Sequence, residues 1–233
     1  MDPHVKSPPS RRRYDASRRQ EAASRTRRAI VNAARRLFTE SGYTATTMGA
    51  IGAAAEVSHE TVYAAFGPKA ALFRHLVETA LSGTDEPVPA LEREVVRQAR
   101  AEPDPRRVID LFAHTVRQLH ERLAPLFAVL TDGAASDPDL RAFADELASR
   151  RVGHMRAFAA DLAGKGGLRD GLTIEMVGDV VWVLNSAEFY LLCVRGRGWT
   201  PERFEEWFAD ALKRLLLPAR LVYDLPTDTP GLA

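Results

Sequence analysis

The sequence predicts an all-α fold. Along its 233 residues, apolar side chains recur at the three- and four-residue spacing of a helix. No segment alternates apolar and polar residues as a half-buried strand does. Proline, glycine and N-cap residues separate the periodic runs, as they do between helices. The predicted architecture is therefore a three-helix N-terminal domain followed by a larger helical bundle.

The N-terminal segment, residues 1–23, contains three prolines and five arginines without apolar periodicity. It is predicted to be a disordered, mobile basic arm. The first helix is expected to follow this arm, because Ile30, Ala34 and Phe38 fall on one helical face. Gly42 then marks the end of that helix.

Two short helices are predicted next. Thr46 and Thr47 are good N-cap residues for the first of them, and Ser58 is one for the second. A longer helix follows the Gly67–Pro68 pair. Two short helices that are joined by a tight turn and braced by longer ones form a helix-turn-helix layout. The domain that contains them is predicted to span residues 24–82.

Residues 83–218 are predicted to form the helical bundle, and residues 219–233 a flexible tail. The first helix of the bundle has an apolar stripe over residues 108–123, after which Pro125 is expected to kink or end the helix. Three more helices are expected, at residues 137–164, from residue 174 to about 194, and from residue 200 to about 216. The helix at 174–194 is apolar nearly all round, so it is predicted to be buried on most sides.

Composition limits the classes of protein that fit. A single cysteine excludes an internal disulfide framework and a cysteine-clustered zinc site. No apolar run approaches the roughly 20 residues that cross a bilayer, and no secretory signal is evident. We therefore expect a soluble protein of a reducing compartment. Net charge is +1 overall, yet residues 1–82 carry +6 and the remainder −5. This asymmetry indicates a nucleic-acid surface at one end, or else a basic tail that aids solubility.

One segment carries a specific motif. Residues 42–72 read GYTATTMGAIGAAAEVSHETVYAAFGPKAAL. This stretch resembles the DNA-binding segment of the TetR family of transcriptional regulators. Two features depart from that pattern: Glu56 stands at a turn position that is often glycine in the family, and Ala64 and Ala65 leave the second short helix with few long side chains. If the turn needs a positive φ, Glu56 costs about 1 kcal/mol.

The resemblance and the layout together predict a DNA-contacting surface. The first turn of the second short helix meets base edges when such a helix enters the major groove. Alternatives remain open: Tyr63 can be a core aromatic, Thr47 only a cap, and Glu60 only a stabiliser of the helix N-terminus. The arm would lie in the minor groove. The predicted DNA-contacting residues are Thr46, Thr47, Ser58, His59, Glu60, Thr61, Tyr63 and Lys69, together with Arg11, Arg12 and Arg13 of the arm.

The resemblance also implies a C-terminal domain that dimerises and binds a small molecule. Asn185 and Glu188 are polar residues in an apolar helix, so they need partners, which can equally be other protein groups. The residues predicted below for a dimer interface can equally belong to the core of a single chain. The predicted pocket residues are Phe112, His114, Gln118, Leu119, Phe127, Met155, Phe158, Trp182, Asn185 and Phe189. The predicted interface residues are Val181, Leu184, Glu188, Phe208, Leu212 and Leu215.

The expected function is that of a homodimeric transcriptional regulator in the bacterial cytoplasm or nucleoid. Its expected partners are a palindromic DNA operator, a second copy of the chain and a small-molecule effector that relieves repression. No cofactor, catalytic residue, metal or membrane partner is expected. One alternative is an architectural DNA-binding protein without an effector. The other is a helical-bundle enzyme, against which the sequence lacks paired metal-ligand motifs, a phosphate-binding glycine loop and a nucleophile elbow.

Overall fold

The computed structural model describes the backbone of residues 11–219 and the side chains of residues 18–219. This part of the chain is helical, without a strand, and it confirms the predicted all-α class. The helices are α1 (Arg11–Ala45), α2 (Met48–Ala54), α3 (His59–Phe66), α4 (Lys69–Ser82), α5 (Glu94–Ala101), α6 (Pro105–Ala134), α7 (Pro138–Gly164), α8 (Ile174–Leu184), α9 (Ala187–Leu191) and α10 (Pro201–Leu216). A 3₁₀ turn (Ala90–Glu92) precedes α5, and a π-helical turn (Leu192–Gly196) follows α9.

The chain divides into two compact units. The first unit comprises the chain up to Arg93 together with Gln118–Ser149. The second comprises Glu94–Arg117 and the chain from Arg150 onward. This division differs from the predicted boundary after residue 82. The reason is that α6 and α7 are long, so that each contributes one part to the first unit and the other part to the second.

Helix α1 begins earlier than the sequence predicts. Its backbone is helical from Arg11, so a mobile arm that extends to residue 23 is wrong for residues 11–23. This stretch is rich in arginine, alanine, glutamine and glutamate, which favour helices even without an apolar stripe. Residues 1–10 lie outside the described part of the chain, as do residues 220–233 of the predicted tail. At its other end α1 leaves helical geometry at Gly42, where φ is 79°.

The core of the first unit is built on aromatic rings. The Phe38 and Tyr43 rings are stacked with centroids 5.7 Å apart, and Phe73 of α4 meets both edge-on. Ile51 of α2 and Val62 of α3 are fully buried in the same core. Each short helix thus contributes one fully buried apolar side chain to this core, and Met48 of α2 and Phe66 of α3 pack against it as partly buried residues.

Helix α6 continues through Pro125. The prediction that this proline ends the helix is wrong, since α6 runs from Pro105 to Ala134. Proline removes one main-chain hydrogen bond from a helix interior. The neighbouring Ala124 and Leu126 are almost fully buried, so that packing holds the helix together across the missing bond.

The predicted helix from residue 174 to 194 is interrupted. Helix α8 ends at Leu184, and α9 begins after Ser186, whose hydroxyl accepts a hydrogen bond from the Phe189 amide at 3.1 Å. Serine competes for main-chain groups and so favours such a cap. Among the described residues no single helix is long and apolar enough to cross a membrane. Taken together, α8 and the segment 187–196 have the length and the apolar composition of a membrane span, but they are bent by 42° relative to each other.

Candidate nucleic-acid interface

The turn between α2 and α3 is tight. Glu56 has a φ of 56° and is the one non-glycine residue with a positive φ in the described chain. The Val57 amide donates to the Gly52 carbonyl at 2.9 Å. A Cβ at position 52 would lie 2.9 Å from the Val57 carbonyl oxygen, so only glycine fits there without a shift. The left-handed backbone anticipated for Glu56 is therefore present, and it sets the entry of the chain into α3.

The first turn of α3 presents polar side chains to solvent. The Ser58 hydroxyl accepts from the Thr61 amide at 3.2 Å and lies 3.1 Å from the Thr61 hydroxyl. His59, Glu60 and Thr61 are exposed, whereas Val62 is fully buried. Helix α3 therefore has one buried face and one free polar face, as a helix that reads DNA requires.

Glu60 stays ionised at the N-terminus of α3. Hydrogen bonds from its own main-chain amide and from the Ser58 side chain hold the pKa of this exposed carboxyl below its usual value. A carboxylate in this place stabilises the helix N-terminus. It repels phosphates but can accept a hydrogen bond from a cytosine amino group.

Tyr63 and Thr47 both expose their hydroxyl-bearing side chains to solvent. The Tyr63 side chain is 56% exposed, which argues against the alternative that it is a core aromatic. Thr47 is exposed and caps α2, its hydroxyl accepting from the Ala50 amide at 3.1 Å. Both side chains are free to meet a phosphate, a group that often binds at helix N-termini.

Lys69 is the first residue of α4, and its side chain caps main-chain carbonyls at the C-terminal end of α1. Its ammonium donates to the Tyr43 carbonyl at 3.0 Å and the Thr46 carbonyl at 3.2 Å, and it lies 4.1 Å from the centre of the Tyr43 ring. Partial burial lowers its pKa, against which the charge of Asp137 acts. An ammonium has three donors, so one remains for a phosphate beside the N-terminus of α2.

Thr46 does not belong to the exposed surface. It is 3% exposed, and its one hydroxyl hydrogen is shared between the Leu37 carbonyl at 3.1 Å and the Gly42 carbonyl at 2.8 Å. These carbonyls end α1 and need donors. The prediction of Thr46 as a DNA-contacting residue is therefore wrong, because the side chain is turned into the protein.

The side chains of Arg11, Arg12 and Arg13 lie outside the described part of the chain. Another arginine, Arg27, matters for the site and was missed. Its Nη1 donates to the Ala65 carbonyl at 2.9 Å, and its guanidinium lies 4.1 Å from the centre of the Phe66 ring. Arg27 thus ties α1 to the C-terminal end of α3. A usable signal was its position three residues before Ile30, on the buried stripe of α1.

The predicted pocket residues are distributed over both units. Gln118, Leu119 and Phe127 belong to the first unit, where the last two pack against its core. In the second unit the Phe112 and Phe158 rings stack with centroids 4.2 Å apart. The Nδ1 atom of His114 lies 3.2 Å from a Glu205 carboxylate oxygen. The remaining pocket candidates of the second unit are Met155, Trp182, Asn185 and Phe189.

Met155, Trp182 and Asn185 share one polar contact network with Arg151. The Asn185 amide group donates to the Met155 sulfur at 3.5 Å, and Arg151 donates to the Asn185 carbonyl at 3.2 Å. The Arg151 guanidinium lies 4.3 Å from the centre of the Trp182 ring. The buried Trp182 Nε1 has no hydrogen-bond partner within residues 18–219. Phe189 instead contacts the aromatic rings of α10.

Three of the six predicted interface residues serve the core of one chain. Val181, Phe208 and Leu212 are fully buried in the second unit, so their prediction as interface residues is wrong. Val181 lies on the inner face of α8, and the other two belong to a buried stripe along α10. Leu184 is half-buried, whereas Glu188 and Leu215 are exposed.

Besides Leu215, these helices expose large apolar residues that were not predicted for the interface. On α8, Met176 is 50% exposed and Val183 is 54% exposed; on α10, Trp207 is 37% exposed. Met176 and Val183 are seven residues apart and share one face of α8. Because α8 is apolar nearly all round, the sequence does not show which of its faces is exposed; the prediction that α8 and α10 form a dimer interface stays a prediction.

Two features that bear on the alternative of a helical-bundle enzyme can be examined in the described chain. Within residues 18–219 no group of histidine, cysteine, aspartate or glutamate side chains is arranged to hold a metal ion. Cys193 is buried, and burial raises the pKa of its thiol, the opposite of what activates a nucleophile.

Comparisons with known proteins agree with this geometry. Residues 30–76 match the family described as "Bacterial regulatory proteins, tetR family". The fold is similar to that of NalD, the secondary repressor of the MexAB-OprM multidrug efflux pump in Pseudomonas aeruginosa, at 23% identity over 84% of this chain and 98% of that chain, with a TM-score of 0.63. No curated protein matches the sequence.

Two further solved structures share the fold. SmeT, in a complex with triclosan, is 19% identical over 89% of this chain and 99% of that chain, with a TM-score of 0.67. The TetR family transcriptional regulator PfmR from Thermus thermophilus is 25% identical over 82% of this chain and 96% of that chain, with a TM-score of 0.57. The resemblance predicted from residues 42–72 and the regulator fold are confirmed.

Proposed function

We propose, from the premise that residues 30–76 are the helix-turn-helix segment of the tetR family of bacterial regulatory proteins, that this chain is a ligand-responsive transcriptional repressor. It acts as a homodimer on a palindromic DNA operator, in the bacterial cytoplasm where the chromosome lies. A small-molecule effector relieves repression, and no cofactor takes part.

The observation that carries this proposal is the two-faced construction of α3. Val62 anchors the helix in the core, while His59, Glu60 and Thr61 are exposed in its first turn. Hydroxyl groups at Thr47 and Tyr63 flank this turn and suit phosphates. Base-edge contacts by the first turn and phosphate contacts around it would together fix the position of α3 in a major groove.

A homodimer is supported by the exposed apolar faces of α8 and α10. Each chain has one recognition helix, so that a two-fold dimer would read the two halves of a palindrome. Met176, Val183 and Trp207 are large apolar side chains that a second copy would remove from water. We propose these residues, together with Leu215, as the interface in place of the buried ones.

The effector is proposed to bind in the second unit. The buried Trp182 Nε1 lacks a hydrogen-bond partner within the described chain, and an unmet donor favours a ligand that can accept its proton. SmeT, whose fold is similar, has been solved with triclosan, a small molecule. Trp182→Phe keeps an aromatic ring and removes this donor, so it should weaken an effector that uses it.

The decisive experiment is a selection from random duplex DNA with the full chain, followed by footprinting and a salt titration. We expect a palindromic site protected on two successive major-groove faces. Thr61→Ala should lose affinity for it. The matched control is Thr39→Ala, which removes an exposed hydroxyl from α1 away from the proposed surface. Salt-sensitive binding without an enriched sequence would contradict the proposal and favour an architectural DNA-binding protein.

A further inference from the structure

A cleft of about 280 Å³ lies in the first unit, away from the exposed face of α3. It is bounded by α1, the C-terminal end of α4 with the loop that follows, and α6. Four arginines line it: Arg27, Arg28, Arg35 and Arg122. The volume is just below the range of pockets for drug-sized ligands, so it suits a small, compact molecule.

Arg35 and Arg122 are half-buried. The Arg35 Nη1 donates to the Arg122 carbonyl at 3.4 Å, and the Arg122 Nε donates to the Ala80 carbonyl at 3.2 Å. Each guanidinium carries five N–H donors, so most of them remain available to the cleft. In the described chain neither guanidinium forms an ion pair with a carboxylate.

The remaining charges of the cleft leave it positive. Arg27 is 3.4 Å from a Glu86 carboxylate oxygen, so these two residues neutralise each other. Arg28 is an exposed cation on the rim, and Asp85 is an exposed carboxylate on the loop after α4. Among the residues that line the cleft, three guanidiniums are therefore left with one carboxylate, and the Glu121 carboxylate acts on Arg122 from outside this lining. His75 also lines the cleft, and burial with the nearby charge of Arg27 lowers its pKa, so it adds little charge at neutral pH.

Holding two unpaired cations here has an electrostatic cost. Burial lowers the pKa of Arg35, and the neighbouring charge of Arg122 lowers it further. Burial also lowers the pKa of Arg122, against which the charge of the neighbouring Glu121 acts. A partly buried charge is stabilised when a counter-charge with matching hydrogen bonds joins it. A bound oxyanion would supply both, because its planar pairs of oxygens match the fork of a guanidinium.

We propose that this cleft is a binding site for a small dianionic oxyanion, namely a phosphate group, with Arg35 and Arg122 as its ligands. The phosphate belongs either to inorganic phosphate or to a small phosphate monoester. The site lies apart from the proposed effector site of the second unit, and it can be occupied whether or not the chain represses transcription.

The test is thermal unfolding of the full chain in phosphate-free buffer near neutral pH, with sodium chloride added to keep ionic strength constant. The probes are inorganic phosphate and glycerol phosphate, each up to about 10 mM. For a ligand at about ten times its Kd, we expect the wild-type midpoint to rise by about 3–5 °C. A larger rise with glycerol phosphate than with phosphate identifies a monoester site, and the reverse identifies inorganic phosphate.

Variants assign the effect to the cleft. Arg35→Gln should remove the phosphate-induced rise, and Arg35→Lys, which keeps the charge but loses the fork, should weaken binding by about tenfold. Arg36→Gln is the matched control, because Arg36 is an exposed neighbour on α1 outside the cleft. A wild-type chain without a rise, or an equal rise in wild type and Arg35→Gln, would overturn the proposal. Because no DNA is present, neither result depends on the proposed repressor function.

Discussion

The two units of this protein expose side chains of opposite character. Helix α3 in the first unit presents an imidazole, a carboxylate and hydroxyls, held by the Ser58 cap and the Val62 anchor. Helices α8 and α10 in the second unit present large apolar side chains, among them Val183 and Trp207. The first surface suits a hydrated, charged partner, and the second suits another apolar surface.

The difference between the two surfaces shows how each helix separates the side chains that stabilise the fold from the side chains that it exposes. In α3, Val62 is a buried anchor on one side, and the exposed side chains of the first turn are polar or charged. In α10, Phe204, Phe208 and Leu212 form a complete buried stripe, and Leu215 lies outside it. Trp207 is 37% exposed, and the rest of its ring contacts Phe189 and Trp199. Changes at these two outer faces should therefore affect binding far more than stability.

The largest effect should come from the apolar face of α8. Met176→Asp combined with Val183→Asp places two charges on it, and we expect a monomer whose operator affinity is lower by about hundredfold or more, since two linked half-site contacts become one. Sedimentation at several concentrations, with operator titrations alongside, measures this. Leu91→Asp is the control, an exposed leucine of the first unit. A variant that remained dimeric would place the interface elsewhere.

Tyr63 should give the next largest effect. Removing a hydroxyl that donates to a phosphate costs about 1.5–3 kcal/mol, which is roughly tenfold to hundredfold in affinity. Tyr63→Phe should lose most of what Tyr63→Ala loses, because the hydroxyl and not the ring makes the contact. The folding midpoint should hardly change, since the side chain is mostly exposed. If Tyr63→Phe kept full operator affinity, the aromatic ring and not the hydroxyl would make the DNA contact.

What the sequence could predict differs between the same two regions. The caps at Thr47 and Ser58 depend on residues within a few positions of each other, so local rules found them, whereas Glu56 was noticed only as a departure from the resembled pattern. The buried face of α8 could not be found in this way, because apolar residues on all sides make every face equivalent until neighbours are known. Ser186 is an N-cap residue type and indicates the break between α8 and α9, but the long apolar run favours one continuous helix.

Long-range contacts were beyond local rules as well. Arg27 meets Ala65 across 38 positions, and the pair of arginines in the cleft, Arg35 and Arg122, is 87 positions apart. The position of Arg27 on the stripe of α1 can be read from the sequence, but the partner of neither arginine can. Thr46 shows the converse error: adjacent threonines look equally suited to a cap, and only the position of the end of α1 decides that Thr46 is buried and Thr47 exposed.

That pair of threonines permits a sharper test of the first surface. Thr46→Val removes the hydroxyl hydrogen that the Leu37 and Gly42 carbonyls share, and it should lower the free energy of unfolding by about 1–2 kcal/mol. Thr47→Val loses the α2 cap, at about 1 kcal/mol. Chemical denaturation measures both, and operator titration at a temperature where both are folded separates them. Only Thr47→Val should lose DNA affinity. An equal loss of affinity in Thr46→Val would return Thr46 to the DNA-contacting surface.

The smallest effect concerns Glu56, and its direction is the informative part. Glycine adopts a positive φ without strain, so Glu56→Gly should relieve about 1–2 kcal/mol, part of which the greater freedom of glycine in the unfolded chain offsets. We expect a net gain of about 0.5–1 kcal/mol in the free energy of unfolding. Glu56→Ala removes the charge but keeps the strain, so its stability should stay near wild type. If Glu56→Ala gained as much as Glu56→Gly, charge and not backbone conformation would explain the cost of glutamate in the turn between α2 and α3.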